Sequence, residues 1–207
     1  MKPDQIPSFN VAKSLNEAVC VEVGTWEGDF SYELLRHTNC KKVYCVDPYK
    51  HFEDDSYPDG MNLLNQAQFD AKFATVNARF QPFGDRVEFL RMTSHEAAQR
   101  IANNSADFVY IDGNHDYKAV LQDIQDWAPK VKPGGWLCGD DVYSTNLEDH
   151  DADGNVTRIW SHDCWGKYGT FKAIYDSGLK YVIDQTQFIV QIPLIQETEK
   201  KERFGRA

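Results

Sequence analysis

No run of about 18 apolar residues occurs in the 207-residue chain, which leaves no candidate for a helical membrane span. Met1 to Asn10 lacks the basic and apolar regions of a signal peptide, so the expectation is a cytoplasmic protein without a membrane partner. Pairs of the form CxxC are absent as well. The five cysteines, Cys20, Cys40, Cys45, Cys138 and Cys164, are odd in number, and Cys20, Cys45 and Cys138 lie within or beside apolar stretches. They read as buried reduced thiols rather than as a disulfide framework. Net positive charge is lacking too: the formal charge is −10, a field that repels a phosphate backbone and forgoes counterion release. Nucleic acid is therefore a poor substrate candidate.

What is present is an ordinary globular composition, 42% hydrophobic and 26% charged, on a chain long enough for one well-filled domain and too short for two. That domain is placed at 1–195, followed by a charged, aperiodic and mobile tail at 196–207. No internal repeat is visible. Short apolar runs alternate with stretches of helical period, the pattern of an α/β fold: a Rossmann-like, doubly wound, mostly parallel seven-stranded sheet with an antiparallel last strand and helices on both faces. Strands are predicted near 18–23, 42–46, 87–91, 107–111 and 136–139. A final pair, 181–183 and 188–192, is joined by too short a link for a crossover helix and should be antiparallel. Between them, Tyr117, Val120, Leu121, Ile124 and Trp127 recur at helical spacing before a Lys132-Pro133-Gly134-Gly135 turn. Thr93 and Glu96 form a capping-box pattern opening a helix through Ile101, and further helices are expected over 62–79 and 165–175.

Two acidic segments, 51–60 and 146–157, fit no regular element. Each follows a strand at its carboxyl end, where open parallel sheets bind ligands, so both should flank the mouth of a site. The second contains Asp149, Asp151, Asp153, Gly154 and Asn155 in the order that opens an EF-hand loop, but Trp160 stands where the bidentate Glu is needed. A flexible acidic lid fits better. Trp160, Trp165 and Tyr168 could shape an acceptor pocket or simply fill a core.

The segment VEVGTWEGDFS at Val21–Ser31 runs from a β-branched strand through Glu22, Gly24 and Gly28 into Phe30, Leu34 and Leu35 at helical spacing. Gly24 permits a tight turn and close backbone approach, and the amides opening the helix face whatever lies above the strand. The dinucleotide fingerprint G-x-G-x-x-G is not matched. The next strand ends in VDPY, and its Asp47, about twenty residues beyond Gly28, is where an acid can accept both hydroxyls of a ribose. Asp47 with Pro48 is equally compatible with a plain turn.

FVYIDGNHDY places Asp112 just past a hydrophobic strand, with His115 three residues on. KPGGWLCGDD places Asp140 and Asp141 just past the following one. If those strands are neighbours, three carboxylates and an imidazole converge at one edge. Carboxylates in contact raise one another's pKa unless a cation sits among them, and a hard oxygen donor set suits Mg²⁺, with Ca²⁺ or Mn²⁺ as alternatives. The competing reading makes these acids helix caps or solvated turns, with His115 capping the Tyr117 helix.

EVGTWEGDFS, VDPY, FVYIDGNHDY and KPGGWLCGDD together resemble class I S-adenosylmethionine-dependent methyltransferases, in particular the metal-dependent small-molecule O-methyltransferase branch that includes catechol-type and macrolide-sugar-type enzymes. The resemblance covers about 21–192. It implies that Glu22 and the turn Gly24, Thr25, Trp26 to Gly28 lie near the methionine part of the cofactor and that Ser31 reaches its carboxylate. It further implies that Asp47 and Pro48 meet the ribose, that Thr93 and Ser94 flank the adenine, and that Asp112 borders the cofactor. Trp26 departs from the commoner G-x-G-x-G turn. The resemblance also implies Asp112, Asp140 and Asp141 as metal ligands. Methyl transfer to oxygen needs a deprotonated hydroxyl, so Asp112 and His115 are the catalytic candidates, with His115 as base because an ordinary imidazole titrates near 6.5.

These patterns imply a metal-assisted O-methyltransferase acting on a small hydroxylated acceptor, a sugar or secondary metabolite, neutral or cationic because the mouth is acidic. Two other readings compete: a nicotinamide-dependent oxidoreductase of Rossmann type and a non-catalytic adenosine-binding module. A homo-oligomer is compatible with the sequence, which fixes no oligomeric state.

Overall fold

A computed structural model of the chain describes residues 6–53, 64–142, 148–150, 156–159 and 169–194. The expected tail at 196–207, most of the 51–60 segment, Cys164, and the pocket aromatics Trp160, Trp165 and Tyr168 lie outside the described residues.

Five strands arise where the β-branched and aromatic runs predict them: β1 (Val19–Val23), β2 (Lys42–Val46), β3 (Val87–Leu90), β4 (Ala106–Ile111) and β5 (Val131–Gly139). They are mutually parallel in the order β3-β2-β1-β4-β5. A short ribbon, β6 (Glu148–His150) paired with β7 (Val156–Ile159), comes next in the chain. The expectation that 146–157 holds no regular element is corrected here. The main sheet then closes with β8 (Val182–Asp184) and β9 (Gln187–Gln191), an antiparallel hairpin whose β9 runs antiparallel to β5. The result is a Rossmann-like seven-stranded sheet, mostly parallel, with its switch point between β1 and β4.

Burial on both faces explains why the strands read as near-continuous apolar runs. Along β1 and β4, Val21, Val23, Val109 and Ile111 enter one core with Ala97 and Ala98 of α4 (Ser94–Arg100) and with Val120, Ile124 and Trp127 of α5 (Tyr117–Trp127). Ala173 and Ile174 of α6 (Thr170–Asp176) join that core. Cys20, Phe108 and Tyr110 enter the opposite core with Phe9 of α1 (Ile6–Lys13), Phe30, Leu34 and Leu35 of α2 (Asp29–His37), and Val76 and Phe80 of α3 (Gln66–Phe80). The four described cysteines, Cys20, Cys40, Cys45 and Cys138, are buried and free. No helix among the described residues is long and apolar enough to cross a membrane.

Three local departures have physical causes. The Lys132–Gly135 stretch is not a turn before β5 but a bulge inside it, shifting the register between Ala106 and Phe108, with Gly134 at φ +83°. Helix α3 begins at Gln66, because Asn65 supplies a capping box with Gln68. Helix α1 carries little amphipathic signal and is anchored by tertiary contacts, including donation from the Ser8 amide to Gln187 Oε1 at 2.8 Å.

Candidate functional site

Sheet register assembles the site. Val23 pairs with Val46 on one side and Ile111 on the other, and Ile111 pairs with Gly139. The next residues, Gly24, Asp47, Asp112 and Asp140, therefore form one row at the carboxyl edge. The ladder runs on through them: the Gly24 amide donates to the Val46 carbonyl at 2.8 Å, Asp112 to Val23 at 2.7 Å and Asp140 to Ile111 at 3.0 Å.

The turn after β1 is set by backbone proximity. Gly24 has φ +88°, and a Cβ there would stand 2.0 Å from the Asp112 carbonyl oxygen. No other residue fits. Gly28 has φ +74° and sits against the Phe80 ring. Trp26, the departure from the commoner turn, also adopts a left-handed conformation at φ 46°. Two bonds hold it there: its amide donates to Asp47 Oδ2 at 2.9 Å, and its carbonyl accepts from the Tyr49 hydroxyl at 2.6 Å. Its ring packs edge-on to Phe69. Thr25 is buried behind the turn.

Asp47 accepts a second amide, from Tyr49, at 2.8 Å on Oδ1. Burial pushes its carboxyl above the ordinary range, while the amides of Tyr49 and Trp26 and the charge of Arg91 pull the other way. The carboxylate is thus fixed in orientation at the rim of a cavity of about 200 Å³, whose lining includes Gly24, Asp47, Pro48, Thr93 and Ser94. All five belong to the predicted cofactor set. Glu22 and Ser31 do not line it. Glu22 is 2% exposed and accepts from Ser31 Oγ at 2.5 Å beneath the turn, tying β1 to α2, and burial holds its carboxyl well above the carboxylate range.

Asp112, His115 and Asp141 form the second part of the site, with one donor atom from each lying within 4.8 Å of the others. His115 Nε2 is 2.8 Å from Asp141 Oδ2 and 3.6 Å from Asp112 Oδ1. Asp141 occupies a left-handed conformation at φ 64° that favours glycine, a strain often found at functional positions. Burial by itself would lower the His115 pKa, but the bonds and charges of Asp112 and Asp141 outweigh it and push the imidazole up to about 10. The ordinary value near 6.5 does not apply to this arrangement of groups.

Asp140 stands behind this cluster rather than in it. It is 4% exposed, and Oδ2 accepts from the Tyr110 hydroxyl at 2.9 Å. Oδ1 accepts from Thr186 Oγ1 at 2.9 Å and from the Asp141 amide at 2.8 Å. Burial and the neighbouring charges of Asp112 and Asp141 push its carboxyl up to about 7. The structure therefore brings His115 together with two of the three predicted metal ligands, and Asp140 orients Asp141 through its amide. His115 is not the cap of α5, a position taken by Asp116, whose side chain accepts from Lys118 N at 3.0 Å.

Sequence reasoning missed several groups on the cavity wall: Phe52, Gly113, Asn114 and Asp123. For Asp123 a signal existed. It is an acid on the apolar stripe of α5, three residues from Val120 and four from Trp127. The whole arrangement offers a cradle for a ribose-bearing cofactor beside hard oxygen donors and an imidazole.

Residues 21–142 match the family described as Methyltransferase domain. An uncharacterized protein of Acanthamoeba polyphaga mimivirus is 25% identical over 156 residues, 73% of this chain, and the chain spans 63% of that relative's length. Among solved structures, an O-methyltransferase family protein from Burkholderia thailandensis superposes with a TM-score of 0.54 at 19% identity, covering 93% of this chain and 57% of its own. A SAM dependent methyltransferase from Aquifex aeolicus superposes with a TM-score of 0.52 at 16% identity, over 91% of this chain and 92% of its own. At these identities the likeness is one of fold.

Proposed function

The chain belongs to the methyltransferase-domain family and is a methyltransferase, and from that premise we propose that it carries the methyl group of S-adenosylmethionine to a hydroxyl of a small acceptor with the help of a divalent cation. The observation that carries this reading is the adjacency of the Asp47 cavity and the Asp112, His115, Asp141 cluster, joined where Gly24 packs on the Asp112 backbone.

S-adenosylmethionine supplies a methyl group on a positively charged sulfur, open to attack from the side opposite the leaving sulfide. The protein's part is to orient, exclude water and move a proton. Asp47 takes the ribose hydroxyls with oxygens already fixed by two amides. Thr93 and Ser94 border the base. The donor set of the second cluster fits Mg²⁺, or Ca²⁺ or Mn²⁺, because two carboxylates contribute hard oxygen and leave positions open for an acceptor oxygen. Asp112 and Asp141 would hold the ion, with Asp140, predicted as the third ligand, positioning Asp141. A cation there lowers the pKa of a bound hydroxyl. With their charge committed to it, Asp112 and Asp141 no longer hold the proton on His115, which is then free to accept one from the acceptor. The acidic mouth and the net charge of −10 favour a neutral or cationic small molecule over nucleic acid.

Calorimetry with S-adenosylhomocysteine and with NADH, each with and without Mg²⁺, tests the reading. Binding of the first and not the second is expected. Tight NADH binding without S-adenosylhomocysteine binding would replace it with an oxidoreductase. Turnover of a hydroxylated acceptor that survives both chelation and Asp141→Ala would remove the metal.

A further inference from the structure

The cavity holds a second carboxylate besides Asp47. Asp123 projects from α5 into its wall beside Gly113 and Ser94, where its Oδ2 lies 3.9 Å from the position a Cβ on Gly113 would take. Asp123 is 7% exposed, on a helix face whose other buried members are Val120, Ile124 and Trp127. A carboxyl so placed is expensive to keep. Its hydrogen-bond partner is the Ser94 side chain, and Ser94 Oγ itself accepts from Trp127 Nε1 at 2.8 Å. Burial, with that Ser94 bond opposing it, pushes the Asp123 carboxyl up to about 7, and neighbouring Asp126 adds to the rise. Packing alone would be better served by an apolar side chain, so a retained acid calls for a partner that enters the cavity.

The geometry supplies one. Asp47 lies at the end of the cavity built by β2, and Asp123 with Thr93 and Ser94 at the end built by α4 and α5. A nucleoside whose ribose hydroxyls meet Asp47 extends its base toward α4 and α5. We propose that Asp123 is the specificity residue for the base, accepting a hydrogen bond from the exocyclic amine of adenine while Ser94 and Trp127 hold the carboxyl in place. A base with a carbonyl at that position would set acceptor against acceptor and be rejected. This inference rests on the cofactor reading above.

The test compares binding of S-adenosylhomocysteine and of S-inosylhomocysteine, which carries oxygen in place of the amine, to the whole chain by calorimetry. Wild-type protein is expected to prefer the adenine compound by about tenfold or more. Asp123→Ala should bring that preference close to unity by weakening the adenine compound, and Asp123→Asn, which keeps an acceptor oxygen, should retain it. Both variants should stay folded, because each removes a buried acid, and thermal unfolding checks this. An Asp123→Ala protein that keeps the wild-type preference, or loses affinity for both compounds in equal proportion, overturns the inference while the cofactor reading stands. Failure of the wild type to bind S-adenosylhomocysteine at all overturns that reading and this one with it.

Discussion

Asp47 and Asp141 both follow strands at the carboxyl edge of the sheet, yet the protein treats them oppositely. Asp47 is satisfied by neutral donors, the amides of Trp26 and Tyr49, so its charge is left available to a ligand while its geometry is fixed. Asp141 is matched against an imidazole and crowded by other acids, in a backbone conformation that favours glycine. One region is built to hold still. The other holds unbalanced charge that a cation and a proton can rearrange. The difference teaches that position at a strand end sets only the address of a carboxylate, and that its chemistry comes from what the neighbouring loops bring to it.

The contrast can be broken from either side. The largest effect is expected at the charged region: His115→Ala should lower turnover at neutral pH by about 10²- to 10⁴-fold and leave S-adenosylhomocysteine affinity at its wild-type value. Equal losses in both measurements would make His115 structural. Gly24→Ala strikes the joint between the regions, forcing a Cβ into the Asp112 carbonyl. A strained left-handed residue costs about 1–3 kcal/mol before the clash is counted, so the thermal midpoint should fall by on the order of 10 °C. Asp47→Ala should weaken S-adenosylhomocysteine roughly tenfold or more by calorimetry, with the rate on bound cofactor much less affected.

A smaller effect distinguishes Asp123 from both. Its folded-state pKa of about 7 lies above the ordinary value of 3.8 for this acid. The unfolded chain therefore releases this proton first, and stability falls as pH rises from about 4 to 7. Asp123→Asn should raise the melting temperature at pH 7.5 by about 2–4 °C, and the gain should vanish near pH 4. A pH-independent gain would mean that charge burial is not the cause. Smallest of all, Tyr49→Phe removes one hydrogen bond to the Trp26 carbonyl and should weaken cofactor binding by roughly fivefold, with turnover at saturation unchanged.

Much of this was legible in one dimension. Val19–Val23 and Lys42–Val46 announce themselves because strands buried on both faces must be apolar throughout, and Thr93 with Glu96 marks a helix start because both satisfy orphan amides locally. Helix α1 was not legible, since its stability comes from contact with α2, β5 and β9 rather than from its own pattern. The bulge at Lys132–Gly135 reads as a turn because glycine and proline signal local bending without saying whether strand pairing continues on both sides.

By itself, then, the sequence determined the alternation of strands and helices, the glycine turn and the presence of acids at the strand ends, since these depend on short-range sterics and period. Only the tertiary structure decided what each acid does. The register places Asp112 and Asp140 in one row, but Asp140 is drawn inward by Tyr110 and Thr186 while His115 takes its place beside Asp141. Likewise Asp123 is an unremarked acid on a helix until α4 and β4 close around it. A carboxyl's role is set by burial, by the charges facing it and by the donors that reach it, and those are properties of distance in space between residues far apart in the chain.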